Sequence, residues 1–482
     1  MHLYIVDNVN TLKKWISIDL ECTPRCLIIL LNEKRKYFMK QKFGMVLPIV
    51  LLTYFLILLD NSIIFTGTVK IANELNLDAR ALSWVSNAYS LTFGGLLLAM
   101  GRAGDLFGRK NIFIVGLFVF ALGSLAVGIS NSDLTIIIAR AFQGIGSSIL
   151  APSTLALIMD AYTGEMRTKA IGYYGATAGV GGISGLILGG WIADAFSWRY
   201  GFLINVPIAV IIAMLSIKYI PKSRVASGRI DYLGAILSVI GMATLVYSIV
   251  GESGNIVSLA ISAVAFIILI MIERKIAQPL LPLKIFADRE RSGAYIARFV
   301  FMGAMFSYWF LTPQAMQNSL NFSTLIAGFS FIPMSIPQFL SGMRSADLSA
   351  RFGNTKILII GITLSLIGIL IPTFINIHQG YWLVVALPMI LLGFGQGLTL
   401  SPLTVAGVAH TRPEVAGAAS GVVNTTHQIG SSVGLSLVVA ITSGIKSPDI
   451  LYQHAMLIDS VLVAIALIVV LLVIYPVSRK ED

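Results

Sequence analysis

Gly101-Arg102-Ala103-Gly104-Asp105-Leu106-Phe107-Gly108-Arg109-Lys110 places four charges and three glycines between two long apolar stretches. A charged connection this short does not lie in lipid, where unpaired backbone groups and charges are costly. It reads as a tight turn joining two membrane helices at one aqueous face, with glycine supplying the backbone freedom. Its mixed signs suggest a latch between neighbouring helices.

Outward from this stretch, the 482-residue chain is 56% hydrophobic and only 12% charged, against about 25% charged in soluble proteins. Apolar runs of about 20 residues, enough to cross about 30 Å of hydrocarbon, recur between residues 44 and 475. Fourteen spans are expected, starting near residues 44, 82, 112, 134, 170, 200, 231, 254, 294, 324, 357, 381, 416 and 456. The two-residue alternation of a membrane β-barrel is absent. The expected fold class is therefore an all-α integral membrane protein embedded in the lipid bilayer.

The net charge of +11 does not call for a nucleic acid, because the basic residues fall in alternate loops. Arg102, Arg109 and Lys110 follow span 2; Arg167 and Lys169 follow span 4; Lys218, Lys222, Arg224 and Arg229 follow span 6. Arg274, Lys275, Lys284, Arg289 and Arg291, then Arg344, Arg351 and Lys356, continue the series, against Lys70, Arg80, Arg199 and Lys446 on the other face. The positive-inside bias makes the first set cytoplasmic and puts both termini in the cytoplasm of a multi-pass cell-membrane protein.

Weak internal repetition sets the domain organisation. Phe107-Gly108 recurs as Phe352-Gly353, Pro152 as Pro402, and Gly181 and Gly185 as Gly430 and Gly434, at offsets of 245, 250 and 249. Transporter folds are commonly duplicated in this way. The expected units are a cytoplasmic segment 1–43, a six-helix bundle 44–220, a linker 221–293 carrying inserted helices 7 and 8, a second six-helix bundle 294–475 and a tail 476–482. Segment 1–43 holds both cysteines, Cys22 and Cys26. These are too few for a disulfide framework and make no metal site, and the segment lacks the form of a signal peptide. A mis-assigned start is expected, with Met39-Lys40-Gln41-Lys42-Phe43 as the basic lead into span 1; the alternative is an interfacial or disordered tail.

No Walker loop, HExxH or G-x-S-x-G is present, so the chain does not read as an enzyme and no cofactor is expected beyond a proton gradient. Proton coupling needs a titratable group inside the membrane. Asp60, about 7.5 Å from the outer end of span 1, is the first candidate, and Arg140 of span 4 lies at a matching depth. Attraction between them favours the ionised carboxylate and burial the neutral acid, so a change in that balance loads or unloads a proton. A static buried pair is the alternative. His427, within Asn424-Thr425-Thr426-His427-Gln428, marks a polar patch of span 13 that either binds substrate or packs. The glycines of span 5 allow close helix approach. The aromatic run of span 9, Phe299 to Phe310, fits lipophilic ligands or a lipid-facing belt equally.

Together these residues resemble the 14-helix drug:proton antiporter branch of the major facilitator superfamily, over about residues 44 to 475. Gly101, Asp105, Gly108, Arg109 and Lys110 stand on the signature positions of its loop between helices 2 and 3. Ala139-Arg140-Ala141-Phe142-Gln143-Gly144-Ile145-Gly146 with Pro152 is similar to its helix 4 motif. Leu59-Asp60-Asn61-Ser62-Ile63 and Ser197-Trp198-Arg199 through Phe202, Asn205 and Pro207 match its helix 1 and helix 5–6 motifs. The resemblance implies the major facilitator fold of two six-helix bundles plus two inserted helices. It also implies proton-coupled export of a lipophilic or cationic small molecule by alternating access, with a conformational latch at residues 101–110. Asp60 and Arg140 are expected to couple protons, and Tyr89, Gln143, Asn424 and His427 to line the substrate cavity. Three departures stand out: Gly185-Leu186 replaces a glycine-proline pair, His427 an arginine and Val69 a proline. A nutrient:proton symporter and a non-transporting membrane sensor or scaffold remain the alternatives.

Overall fold

The computed structural model describes residues 43–222, 231–250, 255–276, 279, 281–411 and 416–478. The expectations for the leading segment, with Cys22 and Cys26, lie outside these residues apart from position 43. Among the described residues, twelve helices are long and apolar enough to cross a membrane. Two further long helices, Ala79–Phe107 and Ala416–Thr442, bring the total to fourteen.

In chain order these are α1 (Val46–Leu75), α2 (Ala79–Phe107), α3 (Arg109–Ile129), α4 (Asp133–Ala161), α5 (Gly164–Ala195), α6 (Trp198–Tyr219) and α7 (Tyr232–Val250). They continue as α8 (Ile256–Glu273), α9 (Arg289–Ser319), α10 (Thr324–Phe352), α11 (Asn354–Phe374), α12 (Trp382–Gly407), α13 (Ala416–Thr442) and α14 (Pro448–Val477). Several begin before their apolar run because a polar cap starts them in the aqueous layer. Asp78 accepts from the Ala81 amide, Asp288 from that of Arg291, and Ser132 forms a capping box with Thr135, each satisfying donors that a helix start leaves free.

The 101–110 stretch is mostly helix. α2 continues through Phe107, and the turn is Gly108 alone, at φ 89°, where a side chain would be strained. Gly353 repeats it between α10 and α11 at φ 95°. Packing repeats as well: α1 lies on α5 and α9 on α13, while α2 and α3 pack on α4 as α10 and α11 do on α12. A Cβ on Gly185 would sit 2.6 Å from the Leu59 carbonyl oxygen, so the α1–α5 approach requires glycine there. Gly434 faces Gly303 in the same way in the second bundle.

The bundles meet along two seams, α2 against α13 and α5 against α10. Asn87 donates to Ser436 Oγ (2.8 Å) across the first. The inserted α7 straddles that seam: Ser238 donates to the Gly95 carbonyl (2.8 Å), and Met242, Val246 and Val250 pack with Leu91, Ile429 and Val433. α8 packs mainly on α7, with Ser262 donating to the Gly241 carbonyl (2.7 Å). Outward faces carry Phe118, Ile138, Met214 and Ile217, each more than half exposed, as lipid contact requires.

At the end remote from the Gly108 turn the second seam is closed. Thr324 donates to Asp194 (3.1 Å), which Lys70 of the same bundle also reaches (3.4 Å), and Gln317 donates to the Thr66 carbonyl (3.2 Å). A Cβ on Gly190 would lie 2.5 Å from the Thr324 carbonyl oxygen. Gly190→Val is therefore expected to pry this end apart. In a background with Cys22 and Cys26 replaced by serine, an Asn61→Cys label site should react several-fold faster with an impermeant thiol reagent applied to that face of reconstituted vesicles; unchanged reactivity would contradict the closure described.

Candidate functional site

Asp60 on α1 and Arg140 on α4 form a salt bridge of 3.0 Å, with side chains 0% and 1% exposed. Arg140 Nη1 donates to Asp60 Oδ2, while Gln143 Nε2 and Asn205 Nδ2 each donate to Oδ1 at 2.7 Å. Gln143 follows Arg140 by three positions, so one face of α4 supplies both. Asn205 opens the second segment of α6, Asn205–Tyr219. Ser124 on α3 accepts from Gln143 (2.7 Å). Four helices thus converge on one carboxylate.

Arg140 is anchored on its other sides too. Nη1 also donates to Gln143 Oε1 (2.6 Å) and Nε to the Val85 carbonyl (3.2 Å). Its guanidinium lies 4.2 Å from the Tyr89 ring centroid and 5.5 Å from that of Phe202. Desolvating two ions is expensive, and this many charge-assisted bonds and ring faces are what offset it.

Beside this pair lies a cavity of about 1880 Å³ between the bundles. It opens at the Gly108 end, past Arg102, Asp105, Arg109 and Pro282, and reaches Phe65, Leu186, Trp309 and Phe331, where the seam shuts. Phe65 packs on Phe306 with ring centroids 5.2 Å apart. Asn61 and Ser62 line the cavity, and Asp60 points away from it. Asn424 and His427 lie on the cavity wall. Tyr89 and Gln143, also expected there, are instead fully buried behind it, as parts of the Asp60–Arg140 network in this conformation. Phe93, one turn from Tyr89, takes the wall position. A polar residue on an interior helix face can turn to a neighbouring helix as readily as to the cavity, and sequence spacing does not tell the two apart.

Sequence reasoning missed Arg298 and Asp459. Arg298 is 6% exposed, deep on the cavity wall, and donates to Thr404 Oγ1 (2.9 Å) and the Leu400 carbonyl (3.2 Å). Asp459 is fully buried on α14. Each is a lone ionisable residue inside an apolar span, and that was the available signal. The aromatic run of α9 is neither belt nor ligand wall for the most part: Phe301, Phe306, Tyr308 and Phe310 are buried core, and Trp309 reaches the cavity.

At the turn, Asp105 Oδ1 accepts from Arg109 Nη2 (3.0 Å) and Nε (3.2 Å), and Arg109 Nη1 reaches Asp160 (2.6 Å) and the Ala156 carbonyl (3.0 Å). Lys110 donates to the Ile217 and Ile220 carbonyls at the α6 C-terminus (2.8 and 2.6 Å), where the helix dipole favours a cation. Gly101 meets Pro152 of α4, 3.6 Å from where its Cβ would be. These bonds tie α2, α3, α4 and α6 within one bundle. In the second bundle Asn354 donates to the Pro402 carbonyl (3.1 Å), and Ala350 stands at the place of Asp105. The Trp198-Arg199 motif clamps the remote end, both side chains bonding Glu74 (2.6 and 3.1 Å). Among the described residues no group of His, Cys, Asp and Glu is arranged to hold a metal.

A duplicated fourteen-helix membrane fold with one large cavity between its halves defines a transporter. The chain matches the Major Facilitator Superfamily over residues 50–435 and again over 294–482, and it belongs to that family, whose members are transporters and not enzymes. It is 33% identical to the MFS-type transporter EfpA of Mycobacterium tuberculosis, covering 80% of this chain and 74% of that one. It is 32% identical to the cephamycin export protein CmcT of Amycolatopsis lactamdurans, covering 83% and 86%. The solved nucleoside transporter NupG shares the fold at a TM-score of 0.63 and 12% identity, over 89% of this chain and 99% of that one.

Removing one ion of the buried pair strands the other. Arg140→Gln is expected to destabilise the protein by about 3–5 kcal/mol, and adding Asp60→Asn to recover most of that loss. Thermal unfolding of the purified variants in detergent checks this; a single variant as stable as the parent would contradict the network described.

Proposed function

We propose that this protein is a proton-coupled exporter that moves lipophilic small molecules out of a bacterial cell by alternating access. The observation that carries the reading is the Asp60–Arg140 network: an acid saturated with donors and sealed from water, one residue from Asn61 and Ser62 on the cavity wall. A carboxylate so placed is costly to keep unless its protonation state does work. The similarity to an antibiotic exporter, CmcT, supports the outward direction.

On this reading the basic, Gly108 end faces the cytoplasm with both termini, and the cavity is in its inward-open state. The bundles 44–220 and 294–475 rock about the cavity. As the bundles rock, α1 shifts against α4 within the first bundle and exposes Asp60 to a proton from outside; restoring its contact with Arg140 favours the ionised carboxylate and releases the proton. Arg140 sets the balance, Gln143 and Asn205 hold the carboxylate, and Tyr89 braces Arg140. Asn424 and His427 supply polar wall to the cargo. Asp105, Arg109 and Lys110 keep the cytoplasmic end of the first bundle rigid, with Gly108 making the turn and Gly101 admitting Pro152 of α4, so that it moves as one latch.

In everted vesicles with a preformed proton gradient, cargo addition should release protons with the parent protein, and Asp60→Asn should bind cargo but release none. Undiminished coupling in Asp60→Asn would overturn the carrier role, and co-movement of cargo and protons would reverse the direction. Asp105→Asn should slow transport severalfold while leaving membrane insertion and cargo affinity unchanged; parent-level transport would remove the latch from the account.

A further inference from the structure

We propose that the cavity selects organic anions, with Arg298 binding a carboxylate or phosphate of the cargo and the neighbouring rings holding its apolar body. This rests on the transport reading only in taking the cavity as the cargo's path.

Arg298 is 6% exposed and lines the cavity. Its bonds go to a carbonyl, a hydroxyl and His427 Nδ1 (3.3 Å from Nη2), and Nε has no partner. No carboxylate among the described residues pairs with it; the ionisable side chain it bonds is His427. Arg140, equally buried, has Asp60. A guanidinium held out of water without a counter-ion is costly, and here an anion entering from the cavity supplies one. Its planar fork suits the two oxygens of a carboxylate or phosphate.

The rest of the wall points the same way. Its one carboxylate among the described residues is Asp105 at the mouth, already held by Arg109. Asp60 is turned away and saturated. A cationic cargo, half of the class implied by the family resemblance, therefore meets no free acid. Tyr54 and Tyr174, stacked with centroids 3.9 Å apart, share the cavity with Arg298, and Trp309, Phe331 and Phe339 line its apolar side. The matching ligand is a ring-bearing body with one anionic group.

The test is binding to the purified full chain in neutral detergent, with no proton gradient, so its failure is separable from failure of proton coupling. Three fluorescent probes share a pyrene body: pyrenebutyrate, its methyl ester and a pyrenyl-alkylammonium. The carboxylate is expected to bind about tenfold or more tighter than either other probe. Arg298→Gln should erase that preference while leaving ester affinity unchanged, which also reports an intact fold, and Arg298→Lys should retain part of it. If Arg298→Gln fails to fold, the parent's carboxylate affinity must fall as salt rises and the ester's must not. Equal or tighter binding of the ammonium, or full carboxylate affinity in Arg298→Gln, overturns the inference. Displacement of bound pyrenebutyrate by naphthoate supports a soluble anion and displacement by lysophosphatidate a lipid one; displacement by neither overturns it.

Discussion

One buried ion pair, Asp60 with Arg140, constrains the first bundle. An acid and a guanidinium that have both lost water are tolerable only when nearly every donor and acceptor is met. Meeting them takes Gln143 from α4, Asn205 from α6, Ser124 from α3 and the rings of Tyr89 and Phe202. These demands fix how α1, α3, α4 and α6 stand against one another. The cavity wall begins one residue further on, at Asn61 and Ser62. Chemistry and cavity are thus adjacent but separated by the thickness of one helix.

The second bundle repeats the backbone of the first without the ion pairs at its turn. Gly353 repeats the turn of Gly108, and Gly434 the close approach of Gly185. Asn354 bonds a carbonyl where Arg109 bonds an acid and a carbonyl, and Ala350 replaces Asp105. Arg298, a buried cation of the second bundle, lines the cavity and bonds a carbonyl, a hydroxyl and His427. On the proposed reading, this asymmetry puts proton chemistry in one half and cargo recognition in the other. The inserted α7 fastens the α2–α13 seam from outside, which gives the extra pair a mechanical place.

Hydropathy made the fourteen spans legible, because crossing lipid leaves only helices available. The Asp60–Arg140 pairing was also legible, since two costly charges at equal depth have few alternatives. Rotation about each helix axis was not fully legible: Tyr89 and Gln143 face neighbouring helices and not the cavity, and a polar residue on an interior face fits either place. The 101–110 island reads as a turn because its charges keep it out of lipid, but charge does not end a helix: α2 runs on through Phe107 and only Gly108 leaves it. Arg298 was hidden by its position one turn inside a span end, where arginines ordinarily serve as topological anchors. The repeat offsets pointed correctly to Gly353 and Gly434, but nothing in them said that the charges would not repeat.

The central claim is that the protonation state of Asp60 changes with the state of the cavity. Proton release into a weakly buffered, indicator-containing detergent solution, recorded as cargo is titrated into the purified protein, tests it most directly. The account predicts release in proportion to bound cargo for the parent and none for Asp60→Asn at equal occupancy. Equal release from both proteins would contradict it.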